Sequence, residues 1–325
     1  MKALWRSRFI LSMKQIGVWL KSFCRWLILG GTLFFLGKVL KDNWEQVASV
    51  RVSGAGWVYL AIALGMTLLG YTCAGWVWGR ILQDFQQPIG TIWAIQTYLK
   101  TNIAKYLPGN VWQFYGRVVA ATKGGATLSA ATVSVLLEPL LMAAAALLIA
   151  LFCSQQVAAK YGLTGVGLQW FSLVVVLLSV HPRVLNQLIL RLRKVKQKAA
   201  NAEPDPPVFQ MEHYPLVPLV GELAFLVLRG IGFVLTFLAV SPIAPNQIPL
   251  LFSVFGLAWL LGFIIPGAPG GIGVFEATAI ALMSHTFSAG ILFSGVALYR
   301  LISVLSEAVG AGLAVVVEGW GMGEG

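Results

Sequence analysis

Charged side chains are sparse in this sequence, and the few that interrupt its apolar stretches carry its chemistry. Lys100, Lys105, Arg117 and Glu138 fall in one hydrophobic region, and Glu276, Arg300 and Glu307 in another. A charge at the centre of a bilayer costs about 2.5–3.5 kcal/mol on insertion scales, so such residues face a protein interior or a wet cavity. Arginine there offers paired N–H donors to a phosphate, and glutamate accepts from an amine or a guanidinium. Glu222 and Arg229 lie two helical turns apart, as do Arg300 and Glu307, so each set shares one helix face. For Glu222, Arg229 and Glu307 the expectation is buried ion pairs that tie helices together. Lys100 and Lys105 are expected to snorkel to the interface.

Two of the charged regions contain Pro-Gly breaks. The first reads Lys105-Tyr-Leu-Pro-Gly-Asn-Val-Trp-Gln-Phe-Tyr-Gly-Arg117, and the second Phe263-Ile-Ile-Pro-Gly-Ala-Pro-Gly-Gly-Ile-Gly-Val-Phe-Glu276. Proline removes a backbone donor and glycine admits conformations closed to other residues. Helices reaching Pro108-Gly109 or Pro266-Gly267 should stop or bend there, which makes these four residues the expected hinges. In lipid the freed backbone groups need other helices or water. The second break lacks the Lys-Ser/Thr ending of a nucleotide-binding loop. Its N–H groups over Gly270–Phe275, including Gly270 and Gly271, are still positioned to meet an anion at a helix start. Trp112 and Tyr115 flank the first break. Most other tryptophans sit at span ends, as interfacial anchors.

The elements that position these residues are set by composition. Hydrophobic residues make up 58% of the 325 and charged residues 11%, too few charges for a surface facing water. No charge occurs between Gly54 and Arg80, and Ala126–Cys153 holds only Glu138. Each stretch can cross about 30 Å of hydrocarbon. The fold class is therefore all-α, a polytopic membrane bundle. The net charge of +11 resides mainly in two juxtamembrane blocks, Lys2–Arg25 and Arg183–Lys198. These mark cytoplasmic loops and meet anionic lipid headgroups, with no nucleic-acid motif beside them. Cys24, Cys73 and Cys153 lack metal-like spacing and His181, His213 and His285 are scattered, so neither metal nor cofactor is expected.

Along the chain, residues 1–22 read as a basic interfacial helix and 23–325 as the transmembrane domain. Spans are expected at 24–41, 55–80, 126–153, 166–181, 216–240 and 287–317, with a basic cytoplasmic linker at 182–215. If both basic blocks are cytoplasmic, segments 88–124 and 246–286 each begin and end on one side, as re-entrant or broken hairpins. Span, hairpin and span then occur twice, at 55–153 and 216–317, in opposite orientation, with both termini cytoplasmic. Interrupted segments at matching places in inverted halves point to a midplane transport site. Across a pseudo-two-fold axis, Arg117 is expected to approach Glu276, and Glu138 to approach Arg300.

Lys105–Arg117, together with Pro266–Glu276 and the span from Tyr299-Arg300 to Glu307, resembles the flippase-like transmembrane region of lysylphosphatidylglycerol synthases over about 25–317. The resemblance implies a helical bundle with re-entrant segments, in the cell's inner membrane, that moves a lipid between leaflets. By position it carries Arg117, Glu276 and Arg300 over as characteristic charged sites. The chain has no acyltransferase-like domain after Gly325, so synthase activity is not implied and no enzyme is expected. The expected substrate site comprises Arg117, Glu138, Glu276, Arg300, Trp112, Gly270 and Gly271, with a membrane lipid as ligand. The other readings are a non-catalytic membrane partner of lipid-synthesis machinery or an intramembrane lipid headgroup or glycosyl transferase, and the expected protein partners are lipid-synthesis enzymes or a second copy of the chain. In a variant lacking the native cysteines, single cysteines at 108 and 266 should not emerge on the same aqueous face. Labelling of both from one side by an impermeant thiol reagent would sink the inverted arrangement.

Overall fold

The computed structural model describes residues 54–107, 111–151, 154–187, 213–265 and 269–321, together with Val52, Leu190 and Met211. The interfacial helix at 1–22, the span at 24–41, most of the basic linker and the hinges Pro108, Gly109, Pro266 and Gly267 lie outside them. Every described element is helical: α1 Gly54–Asp84, α2 Thr91–Asn102, α3 Trp112–Lys123, α4 Leu128–Leu151, α5 Ser154–Ser179, α6 Leu216–Val240, α7 Ile248–Ile264, α8 Val274–Met283 and α9 Ala289–Gly321. Short 3-10 turns at Ile103–Tyr106 and Pro269–Gly271 follow α2 and precede α8.

Among the described residues, five helices are long and apolar enough to cross a membrane: α1, α4, α6, α7 with its preceding turn, and α9. The stretch expected at 166–181 is the apolar helical piece Thr164–Ser179, which follows a break in α5 at Gly162 with φ 67°. At 1.5 Å per residue this piece alone falls short of the hydrocarbon thickness. The first arm of the broken segment 246–286 is an apolar helix, Pro245–Ile264, long enough to cross a membrane. The linker closes on itself at its ends, where Asn186 Nδ2 donates to the Met211 carbonyl at 3.1 Å and the Met211 N–H returns to Asn186 Oδ1 at 2.9 Å.

Both broken segments end their first arm in the same way. Leu107, before Pro108, has φ −75° and ψ 148°; Ile265, before Pro266, has φ −70° and ψ 115°. Proline's ring clashes with a helical residue ahead of it, so each arm leaves the helix one residue early. Long helices then pack around these segments. Helices α1 and α6 form the most extensive pair. They approach closely through small residues: a Cβ on Gly232 would lie 2.6 Å from Thr67 Oγ1, and one on Gly70 would lie 3.3 Å from the Phe225 carbonyl. Without a hydrophobic force between helices in lipid, such close contact supplies much of the association.

The second segment is fixed by rings. Tyr299 of α9 meets Phe233 of α6 at 5.1 Å, Phe275 of α8 at 5.7 Å and Phe255 of α7 at 5.8 Å. The Phe233 and Phe255 contacts are edge-to-face and the Phe275 contact is tilted; such aromatic pairs add about 0.5–1.5 kcal/mol each beyond burial. The first segment is held through Trp78 of α1, which stacks on Trp93 of α2 at 6.2 Å and donates to Ser134 Oγ of α4 at 3.1 Å. The turn Gly270-Gly271 has φ values of 61° and 72° and runs against α7, where a Cβ on Gly271 would lie 3.0 Å from the Gly262 carbonyl.

Gly271→Ala should therefore lower thermal stability in detergent more than Gly273→Ala. Gly273 also has positive φ, 85°, but its surroundings leave room for a Cβ. The conformational part costs about 1–2 kcal/mol at either site. Equal losses would show that the contact with Gly262 adds nothing.

Candidate functional site

The two broken segments meet beside a cavity of about 90 Å³, several times the space one water requires. The meeting point is specific. A Cβ on Gly270 would fall 2.5 Å from the Tyr106 ring, so the 3-10 turn after α2 rests directly on the glycine turn before α8. Residues from all the surrounding long helices except α5 reach the cavity: Tyr71 from α1, Glu138 from α4, Arg229 from α6, Trp259 from α7, and Arg300, Ser303 and Glu307 from α9. The broken segments contribute Lys105, Gln113, Arg117, Gly270 and Gly271.

Three ion pairs organise the charges. Arg117 of α3 is bound through Nη1 to Glu138 of α4, and both are almost fully buried. The guanidinium lies 4.2 Å from the centre of the Tyr98 ring and 5.3 Å from that of Phe114. Glu138 immediately precedes Pro139, which takes away the N–H that would bond to the Val135 carbonyl, so the carboxylate sits at a proline interruption in α4. Arg300 of α9 donates through Nε to Glu276 Oε1 at 2.6 Å. Its Nη1 and Nη2 donate to the carbonyls of Gly270 at 3.1 Å and Gly271 at 3.3 Å. The other oxygen of Glu276 accepts the Gly273 N–H at 2.7 Å, at the start of α8. Lys105 donates to Glu307 Oε1 at 2.6 Å, and the Tyr71 hydroxyl is bound to the same oxygen.

These pairs correct the expected ones. Arg117 joins Glu138 rather than Glu276, and Arg300 joins Glu276 rather than Glu138. Each broken segment's returning helix is linked to the next long helix by a short loop, and the two pack directly (α3 on α4, α8 on α9). Partners close in sequence are reached first. The order of signs is nonetheless exchanged, arginine then glutamate in one case and glutamate then arginine in the other. Lys105 does not snorkel outward; it points into the cavity, whereas Lys100 does reach the surface and pairs with Glu318 at 2.7 Å.

Arg229 is the residue that spacing alone undervalues. It is buried, and no carboxylate among the described residues lies within ion-pair distance. Its Nη2 donates to Ser303 Oγ at 3.2 Å, and its Nε has no partner among the described residues. The rings of Tyr71, Phe225, Phe255 and Tyr299 surround the guanidinium at 4.9–6.0 Å. Aromatic faces stabilise a cation without neutralising it. Glu222, on the same helix, is fully buried with both oxygens unpartnered among the described residues, so the expected ion pair is absent at both positions. The signal was present in the spacing of Glu222, Arg229, Arg300 and Glu307; which member stays unpaired is set only by packing.

Of the expected site, Arg117, Glu138, Arg300, Gly270 and Gly271 line one cavity, and Glu276 supports it by holding Arg300. Gly270 and Gly271 present carbonyls to Arg300. Trp112 stands apart from the cavity, half exposed and edge-on to Tyr115 at 6.3 Å.

Comparison with curated proteins finds no match. The family model for the lysylphosphatidylglycerol synthase TM region matches residues 22–310, which include both broken segments, α1, α4, α6 and the charged part of α9. With five apolar helices of spanning length contributing to a charged cavity, the chain belongs to that family and is a multi-pass membrane protein of lipid metabolism or transport.

Proposed function

We propose that the protein moves a membrane lipid with a phosphate-bearing, anionic headgroup between leaflets, the headgroup entering the charged cavity while the acyl chains stay in the bilayer. The observation that carries this reading is the excess of cations in the cavity. Lys105, Arg117 and Arg300 are each matched to a carboxylate, and Arg229 is not. A buried, uncompensated guanidinium is costly in a membrane protein, and an incoming phosphate oxygen supplies the missing charge and a partner for Nε. Ser303 and the Tyr71 ring lie next to it as neutral contacts.

The path across the bilayer follows from the broken helices. Helices α2, α3 and α8, of 12, 12 and 10 residues, are too short to span at 1.5 Å per residue, which supports re-entrant insertion. Long helix, broken segment and long helix recur with exchanged charge order, which supports two halves inserted in opposite senses. Rocking of one half against the other would then expose the cavity to either leaflet. In this reading the basic blocks face the cytoplasm, both termini lie there and the protein resides in the cytoplasmic membrane. The protein carries no chemical reaction of its own.

Leaflet-resolved transport of labelled phosphatidylglycerol in proteoliposomes tests the proposal. Wild-type protein should accelerate equilibration, and Arg229→Ala should lower the rate at least about tenfold, as expected from losing a desolvated charge contact. Arg229→Lys should retain part of it, since a lysine keeps the charge but not the fork. Free glycerol phosphate should not compete; strong competition would assign the cavity to a soluble anion instead. Wild-type rates in Arg229→Ala would remove the site.

Exchange of the Arg117–Glu138 pair separates structure from transport. Arg117→Glu should destabilise the protein, and Arg117→Glu with Glu138→Arg should recover much of that loss, because a single reversal buries two like charges. Failure of the double variant to recover any stability would show that orientation at Pro139, and not charge balance, fixes the pair.

A further inference from the structure

Glu222 is left over by everything above. It is fully buried on α6, both carboxyl oxygens lack a partner among the described residues, and it does not line the cavity. It lies two turns from Arg229 on the same helix face. Its titratable and charged neighbours are Glu138 of α4, Arg117 of α3, Tyr98 of α2 and Cys73 of α1. Cys73 itself points its thiol at the Gly221 carbonyl, 3.4 Å away, beside Glu222. Helix α7 contains no titratable side chain, and the charges of α9 are engaged with Lys105, Glu276 or Lys100. Arg117, the cation among these neighbours, is already bound to Glu138.

An ionised carboxylate with no donor, in a membrane interior and close to a second carboxylate, is strongly disfavoured; the neutral acid is not. The charges of the layer then set a rule. Lys105, Arg117, Arg229 and Arg300 oppose Glu138, Glu276 and Glu307, four cations against three anions, so the layer is positive by one while Glu222 holds its proton. If Glu222 releases that proton, the layer becomes neutral and the negative charge stands beside Glu138 and repels an incoming anion.

We propose that Glu222 is a proton-binding site linked to anion binding in the cavity, so that headgroup entry and a proton on Glu222 favour each other and lipid movement is coupled to protons. This rests on the reading that the cavity takes an anionic headgroup. The proton simply joins a carboxylate oxygen and leaves as the headgroup departs, with no other bond made or broken. Linkage is reciprocal: if the proton tightens the anion, the anion tightens the proton by the same factor.

The test uses the full chain in nanodiscs and two readouts. Infrared difference spectra on a pH step should show the C=O band of a protonated, non-hydrogen-bonded carboxyl in wild type, absent from Glu222→Gln. Binding of short-chain phosphatidylglycerol should weaken about tenfold in wild type between about pH 5 and about pH 9, a typical size for coupling. Glu222→Gln should bind at the tight level throughout. Absence of the band from wild type, or the same pH dependence in Glu222→Gln, overturns the proton site. Loss of fold in the variant leaves the wild-type band to decide. A wild-type band without lipid binding at either pH instead overturns the headgroup reading, and the linkage with it, while the protonated carboxyl stands.

Discussion

Charges inside a membrane protein must be answered from within, and here they are answered by only a few contacts. Water cannot reach most of them and lipid offers nothing in return. Arg300 illustrates how completely one residue is used. Its three nitrogens hold Glu276 and the carbonyls of Gly270 and Gly271, and Glu276 in turn holds the start of α8. The break in the helix and the buried charge therefore solve each other: the glycine turn exposes carbonyls that a helix would have consumed, and the guanidinium consumes them. Without the arginine, the turn would leave acceptors in hydrocarbon; without the turn, the arginine would lack two of its partners.

The same economy organises the first segment with different parts. Arg117 is enclosed by Tyr98, Phe114 and Glu138, and Lys105 reaches the Glu307 carboxylate that also binds Tyr71. Tyr106 then lies over Gly270 and brings the two breaks together. Aromatic contacts around Tyr299 and Trp78 keep the long helices in register about that point. The cavity's shape is set by packed rings and ion pairs; among the described residues, Arg229 has no carboxylate partner and neither oxygen of Glu222 is bonded.

The functional proposal follows from what is left unbalanced. A cavity in which all charges were paired would be a structural joint. Here, among the described residues, an uncompensated guanidinium is set in aromatic faces two helical turns from a carboxyl without partners, and from this an anion and a proton are proposed. The family relationship restricts the setting to lipid metabolism or transport. The headgroup chemistry and the proton linkage are the proposals built on that geometry.

Much of the architecture was legible in the residue order. Long apolar runs with few charges fixed α1, α4, α6 and α9, because nothing but a membrane span accommodates them, and Pro108 and Pro266 fixed where arms must end, because proline acts on its immediate neighbour. The resemblance rested on the same local motifs. Spacing also placed Arg229 and Glu222 on one face, and Arg300 and Glu307 on another. It could not choose partners. Whether Arg117 joins Glu138 or Glu276 and whether Lys105 turns inward depend on distances between elements that sequence separation does not encode. Trp112 turned outward for the same reason: a residue's number along a helix gives its angle, but only the packed neighbours decide which angle faces the cavity.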